Sequence, residues 1–375
     1  MGAPRIDRLE KNYIINGGMD FWQRGVSGTV SGFLADRFLF QNVTSAGTFT
    51  RTRSTDVPSV AESGYRSSYS DLITVGTADA SLAGDERAFY SHVIEGFNLQ
   101  RLLGKKVTLS FWVKCSKTGT QSVAFNNGNG TGGPGFVSYV ATYTINAANT
   151  WEKKVITILM DTSGTWGVGN GYGLNVSWSL ATSLTNQYAT GTANQWISAP
   201  TPFAKYHFTG NLNLFDTAAA TWRIAQIQLV EGEVETEFTP AGRNYADELR
   251  LCQRYYEKSY DIDVVPGTNL GGSANGGAEF FSIMGGLTIN NDGRWQGGRF
   301  RTRKRAVPVV NVWSVLGVAD RSHNFNAGVD LAATTAQPLS ISENNFMVRN
   351  LSGGAITATG PSFQLMWHWA ADAEL

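Results

Sequence analysis

Eleven tryptophans are the residues whose type and placement most directly suggest a chemistry, that of stacking on sugar rings. A flat aromatic face packs on the apolar face of a pyranose, while Asn, Asp and backbone groups hydrogen-bond the hydroxyls. Trp166, Tyr172 and Trp196 sit in or beside glycine-rich loops and are glycan-binding candidates. Trp112 lies opposite the core face of its strand and is a fourth candidate, either exposed or buried in a second layer. Trp22 and Trp151 read as core. Subunit interfaces also favour aromatics, so these positions fit an interface equally well.

Other chemistries find less support. The histidines, His92, His207, His323 and His368, stand outside any HExxH pattern and away from a cysteine pair, so no tetrahedral metal site is predicted. Cys115 and Cys252 have neither metal nor redox spacing. Gly128-Asn-Gly130-Thr-Gly-Gly133 matches G-x-G-x-x-G in form. Pro134 and the strand-like FVSYVATYTI follow it, however, where a dinucleotide fold needs a helix N-terminus. There is no G-x-S-x-G elbow. Glu62, Asp71, Asp79, Asp85 and Glu86 cluster in sequence and could supply a glycosidase pair, yet a solvated loop explains them as well. The expectation is a binding protein without catalytic residues, metal or cofactor. A structural calcium has no Asp/Asn-rich loop of diagnostic spacing behind it. In RFRTRKR, strand alternation would put Arg299, Arg301, Arg303 and Arg305 on one face. That is an edge strand protected by charge, or a patch meeting a neighbouring subunit or an anionic glycan.

These side chains need a scaffold, and the composition points to β-structure. The 375 residues carry 30 basic and 30 acidic side chains, only 16% charged, with 42 glycines. Zero net charge argues against a non-specific nucleic-acid or anionic-membrane binder. No apolar run is long enough to span a membrane, and the first residues lack the apolar region of a secretory signal. Position 6 is Ile, where a myristoylation motif wants Ser or Thr.

Lys106–Lys114 alternates Val107, Leu109, Phe111 and Val113 against Thr108, Ser110 and Trp112, which is the period of a strand. Val137–Ile145, Trp151–Met160, Leu174–Leu180 and Trp222–Val230 read likewise, separated by loops too rich in glycine for regular structure. Such spacing predicts a sandwich or jelly roll. Arg243–Tyr260 breaks the pattern. Tyr245, Leu249, Cys252, Tyr256 and Ser259 follow 4-3-4-3 spacing, Asn244 can cap, and Asp247 and Glu248 suit the first turn. This predicts one helix, packed under a domain junction or forming a three-fold seam; Tyr245, Leu249, Cys252 and Tyr256 are interface candidates, as are Arg299, Arg301 and Arg303. Beyond it, Ala278–Ile289, Arg299–Arg305, Val307–Val315, Phe346–Asn350 and Phe363–Trp369 read as strands of a second β domain. The aromatic alternation of Phe363, Leu365, Trp367 and Trp369 makes the last strand structural.

Five blocks, in order, carry a resemblance. They are NYIINGGMDFWQRG at 12–25, ADRFLF at 35–40, VTLSFWVKCSKTGT at 107–120, WEKKVITILMDTSGTW at 151–166 and IAQIQLVEGEVETEFTPAGRNYADELRLCQRYYEKSY at 224–260. The chain resembles tail-fibre and related receptor-binding proteins of tailed bacteriophages and prophages, most specifically in the last block. RFRTRKRAVPVVNVWS and the ending WHWAADAEL resemble strands of their C-terminal part.

The resemblance implies a mainly β protein. It would comprise an N-terminal arm (1–11), a carbohydrate-binding-module-like jelly roll (12–240), a linking helix (241–260) and a β-rich C-terminal domain (261–375). It also implies a homotrimeric virion protein, assembled in the host bacterial cytoplasm, holding other tail, baseplate or head proteins through its arm. Host surface polysaccharide would be its ligand, with no nucleic acid and no membrane insertion. The family's collar or long shaft does not precede residue 12, so a short fibre, an appendage or a distal tip is expected. Two other readings stand beside the receptor-binding fibre: a purely structural appendage or decoration protein, and a glycan depolymerase.

Overall fold

The structure, a computed structural model, describes residues 11–128, 135–198, 205–271, 277–284, 288–289, 294–295, 298–331, 336–350, 356–357 and 362–375. Residues 1–10 of the expected arm, and 129–134 of the glycine-rich loop, lie outside them. The chain divides into two compact units. One runs to Asp20 and resumes over Val26–Glu248; the other joins Phe21–Gly25 to Leu249–Leu375. The division therefore falls inside the helix rather than on either side of it.

The first unit contains strands β1 (Ser27–Gly28), β2 (Gly32–Phe33), β3 (Phe38–Asn42), β4 (Phe49–Ser54), β5 (Ser70–Val75), β6 (Arg87–Glu95), β7 (Lys106–Cys115), β8 (Gly119–Asn126), β9 (Val137–Ile145), β10 (Glu152–Leu159), β11 (Tyr172–Thr182), β12 (Ala189–Thr190), β13 (Trp196–Ser198), β14 (His207–Phe208) and β15 (Thr221–Glu231). Thirteen of these form two antiparallel sheets, ordered β1-β4-β5-β15-β7-β10 and β13-β9-β8-β11-β6-β3-β2, and β12 and β14 pair in parallel on their own. Order and pairing are those of a β-sandwich.

Aromatic side chains from both sheets meet between them. Tyr90 packs 5.6 Å from Trp222, and Phe111 lies 5.6 Å from Trp178 and 5.2 Å from Tyr143, edge to face in the Phe111 pairs. Such buried rings bring large apolar area plus about 0.5–1.5 kcal/mol per well-oriented pair.

The NYIINGGMD block is a plug. Asn12 accepts from the amides of Ile14 and Leu229 and donates to the carbonyls of Ile227 and Thr239. Ile227 N donates to Gly17 O beside a bulge in β15, where the register slips between Ala225 and Gln228. A Cβ on Gly17 would stand 2.0 Å from the Ile227 oxygen, so no other residue fits. Burial pushes the Asp20 carboxyl up to about 6. Since this folded pKa exceeds the unfolded one, ionising Asp20 costs stability as pH rises from about 4 through 6. Asp20→Asn should therefore gain about 2 kcal/mol at pH 7 and almost nothing below pH 4 in urea denaturation. Equal stability of the two proteins at pH 7 would refute this.

The helices are α1 (Val60–Ser63), α2 (Gly96–Leu99) and α3 (Tyr245–Gln253). Asn244 caps α3 as the sequence suggests, its Oδ1 accepting from Asp247 N at 3.0 Å. The helix is half the predicted length, however. After Gln253 the chain turns into β16 (Tyr256–Lys258), which pairs with the C-terminal strand, Glu257 opposite Ala371. A sheet partner remote in sequence overrides the helical spacing. Tyr256 thus belongs to a strand and is buried, with the Arg24 guanidinium 3.6 Å over its ring.

The second unit continues with β17 (Glu279–Met284), β18 (Thr288–Ile289), β19 (Arg294–Trp295), β20 (Val309–Trp313), β21 (His323–Asn324), β22 (Val329–Asp330), β23 (Ala336–Leu339), β24 (Met347–Asn350), β25 (Ile356–Thr357) and β26 (Ser362–Asp372). Strands β16, β17, β20 and β21 all pair with β26. Leu365, Trp367, Trp369 and Ala371, on one face of β26, build a core with Val310, Val312, Phe300, Phe346 and Val348. The final strand is structural, as its alternation implies; the side chain of Phe363 lies outside the described residues.

The arginine run is not a strand. Arg299 makes one isolated bridge to Asn345, and bends follow. Its amides serve a buried carboxylate instead: Glu257 accepts from Arg301 N at 2.7 Å and Thr302 N at 3.3 Å. Lys304 turns inward to pair with Glu257 at 2.5 Å, both side chains fully buried. The basic side chains consequently diverge. Arg303 is exposed and pairs with Glu343, Arg301 reaches Lys258 O, and Arg305 bonds the carbonyls of Ala373 and Glu374.

Candidate carbohydrate-binding surface

Two of the four aromatic candidates meet. Trp196 in β13 pairs in register with Tyr139 in β9, at the edge of the second sheet. Their rings lie 5.5 Å apart at 66°, and Trp166 stands 5.8 Å from Trp196 at 86°. Trp196 Nε1 donates to Leu159 O, at the end of the other sheet's edge strand, so this cluster closes one side of the sandwich. Trp196 and Tyr139 remain half-buried with ring surface in solvent, whereas Trp166 is buried. The Trp166 loop is held from below by Asn127, whose Nδ2 donates to Thr165 O and Gly135 O.

Tyr172 opens β11 and is half-buried; burial raises its hydroxyl pKa well above the ordinary value. Trp112 is buried. The outer face of its sheet is crossed by residues 232–239, which take hydrogen bonds from Thr108, Thr157 and Gln228. That makes it a second-layer residue without a stacking face. Of the interface candidates on the helix, Tyr245 is exposed, Leu249 is half-buried and Cys252 is buried. Cys115 is likewise buried, and both cysteines are free thiols.

Sequence reasoning missed a row of small polar residues. Trp178 points into the core, so Asn175, Ser177 and Ser179 of β11 face outward, opposite Asn126, Ala124 and Ser122 of β8. Described residues of the segment 183–213 cover much of this face. His207 Nδ1 lies 2.7 Å from Ser179 Oγ, Phe208 N donates to Ser122 Oγ, Lys205 N donates to Ser138 Oγ, and Tyr206 stacks on Phe89. Beneath the cover, Asn126 Nδ2, Asn175 Oδ1, Ser177 Oγ and His207 Nε2 are buried with no hydrogen-bond partner among the described residues. Buried polar atoms of this kind are satisfied by ordered water or by a hydroxyl-bearing ligand. The only hint in the sequence was a strand alternating apolar with Ser and Asn, which also describes a solvated face.

The histidines serve structure. His92 Nε2 accepts from Ile15 N at 3.2 Å, and burial together with nearby Arg37 holds its pKa well below the ordinary value. Burial, helped by Arg87, lowers His207 to about 3. Both are neutral at pH 7. Among the described residues no group of three or more His, Cys, Asp or Glu is placed to hold a metal ion.

No protein-family model matches the chain, and no curated protein sequence does. Solved structures with partial similarity include the enzymatically active domain of tailspike protein 4 from bacteriophage CBA120, at 14% identity and TM-score 0.33. That match covers 59% of this chain and 21% of the tailspike chain, so this protein spans about a fifth of it. A putative sugar-binding protein from Bacteroides thetaiotaomicron VPI-5482 matches at 11% identity and TM-score 0.34, over 59% of this chain and all of the other. The module TmCBM61, solved with β-1,4-galactotriose, matches at 11% identity and TM-score 0.29, over 59% and 99%. Scores this low carry no argument about ligand or partner.

Proposed function

We propose that this chain is a virion structural protein of a tailed bacteriophage, a homotrimeric fibre or spike component that holds host surface polysaccharide without covalent chemistry. The five sequence blocks motivate the viral part of the reading. The observation that carries the binding part is the Trp196–Tyr139–Trp166 cluster at a sheet edge, in which the rings of Trp196 and Tyr139 stay half-open next to the exposed Asn194 and Thr165. A ring face of this kind stacks on a sugar, and neighbouring amides and hydroxyls fix its orientation.

The test is retention on an array of bacterial surface glycans, with released sugar read from the same wells. Wild type should be retained without release, and Trp196→Ala should lose about tenfold or more in affinity, the scale of an aromatic anchor. A folded trimer that Trp196→Ala leaves equally retained would move the site elsewhere. Release of oligosaccharide would make the protein an enzyme.

A second reading, a structural appendage, draws on the burial of Trp112 and Trp166 within the chain, which leaves two of the four aromatic candidates without a face for a sugar. It predicts a stable trimer retained by no glycan.

A further inference from the structure

Residues 118–151 and 162–204 contain no Asp, Glu, Lys, Arg or His. In a chain that is 16% charged, stretches of that length would ordinarily hold roughly a dozen charged residues. The fold gathers the described residues of both stretches in one place. They supply β8, β9, β11 and β13, which are consecutive in the second sheet in the order β13-β9-β8-β11. The opposite sheet is where the unit keeps many of its ion pairs, among them Lys105–Glu231, Lys106–Glu233, Lys153–Glu235 and Lys114–Asp56.

The surface of the uncharged region has a consistent chemistry. Thr165, Asn194, Gln195 and Ser198, all within two residues of Trp166 or Trp196 in the chain, are exposed, and the rings of Trp196 and Tyr139 are half-buried. The charges at its margins are already engaged, Arg87 among them, with its guanidinium on the Asp85 carbonyl and 4.2 Å over the Tyr188 ring. Lys154 pairs with Glu152 at 2.6 Å, Lys205 Nζ donates to Gln187 O, and Asp161 accepts from Ser163 and from Gly164 N. Asp161, and Asp85, whose carboxylate accepts from Gln187 N and Nε2, have no cation partner among the described residues and would repel an anion.

From this we infer that the surface recognises a neutral glycan, built of sugars without carboxylate, sulfate or phosphate. The inference rests on the carbohydrate-binding reading above and specifies its substrate class. Recognition of an anionic polymer calls for Arg or Lys in the contact, because a desolvated anion without a charged or multiply hydrogen-bonding partner is costly. A hydroxyl-rich neutral chain asks for the reverse. Any charge buried beneath it would lose hydration with nothing to replace it, so amides, hydroxyls and ring faces are the economical lining.

The experiment uses the full chain on an array holding several neutral and several uronic-acid-containing or phosphorylated bacterial polysaccharides, at 0.05 and 0.5 M NaCl. Retention on neutral polysaccharides alone, changing less than about twofold with salt, is expected, since screening has no ionic contact to weaken. Retention on anionic polysaccharides that falls with salt would overturn the neutral class while leaving glycan binding intact. Retention on none would remove both.

Location is tested with Gln195→Glu/Ser198→Glu, two exposed positions flanking Trp196, with circular dichroism and melting temperature as the check on folding. This variant should lose about tenfold in retention on neutral glycans. Unchanged retention would place the contact on another face. If the variant instead dissolves an oligomer and no glycan is held, the neutral face is an interface between copies and the proposal is wrong.

Discussion

Replacing Asp71 with alanine is expected to cost the sandwich unit about 3–5 kcal/mol, the scale of a buried ion pair broken on one side. Against a typical total of about 5–15 kcal/mol, that is enough to leave much of the protein unfolded at modest urea. Asp71 in β5 and Arg51 in β4 are both buried, with Arg51 Nη2 2.6 Å from Asp71 Oδ2 and Nε reaching both carboxylate oxygens. The guanidinium also donates to the carbonyls of Gly32 and Phe38, which belong to the other sheet, and Tyr90 Oη donates to Asp71 at 2.8 Å.

Burial alone would lower the Arg51 pKa, but the Asp71 carboxylate more than reverses it. Without Asp71 the cation and the Tyr90 hydroxyl both keep their desolvation penalty and lose their main partner. The control is Arg51→Met/Asp71→Leu. Removing both charges restores an apolar contact and should recover most of the loss. A single variant as stable as wild type, or no more damaging than the double, would contradict the argument. Lys304 and Glu257 form the equivalent pair in the second unit.

Acid should unfold the sandwich unit with a slope set by its neutral histidines. His92 and His207 have folded pKa values below the unfolded value near 6.5, so below that pH the unfolded chain binds protons that the folded chain refuses. Their contribution is complete above about pH 6.5. It is lost as pH falls below that, for His207 down to about 3, at up to about 1.4 kcal/mol per pH unit for each histidine.

Asp20 works in the opposite sense between about 6 and 4 and cancels part of one histidine's effect. The net expectation is a stability that falls from pH 6.5 to 3.5, steepest below pH 4 where Asp20 no longer compensates. His207→Gln keeps a polar group beside Ser179 and removes one proton site. Its unfolding free energy, from urea titrations across this range, should depend less steeply on pH by about 1.4 kcal/mol per unit. A variant with the wild-type pH dependence would show that His207 is not held neutral.

Residue patterns made part of this fold legible. Strands with period-two alternation of polar and apolar residues read correctly, because alternation reports the two faces of a sheet even where both are covered. Lys106–Cys115 and Val137–Ile145 match their sequence bounds nearly to the residue, although most of both their faces is buried. Strands β4, β5, β6 and β8 gave no such signal. Arg51 and Asp71 sit inside as a pair, His92 and Gln121 are buried, and Ser91, Ser122 and Asn126 lie on an outer face that is itself buried. A polar residue satisfied by a distant partner looks, in sequence, like a polar residue facing water.

The same physics divides what composition and spacing determined from what folding decided. Scarce charge, abundant glycine and period-two stretches determined a mainly β protein with its aromatics in core and loops, since burial and turn geometry act locally. Tertiary structure decided which tryptophans keep an open face, why RFRTRKR spends its amides on Glu257, and where the predicted helix gives way to β16. It also brought two uncharged stretches together as adjacent strands. Each of those outcomes depends on a partner far away in the chain, and no local pattern records it.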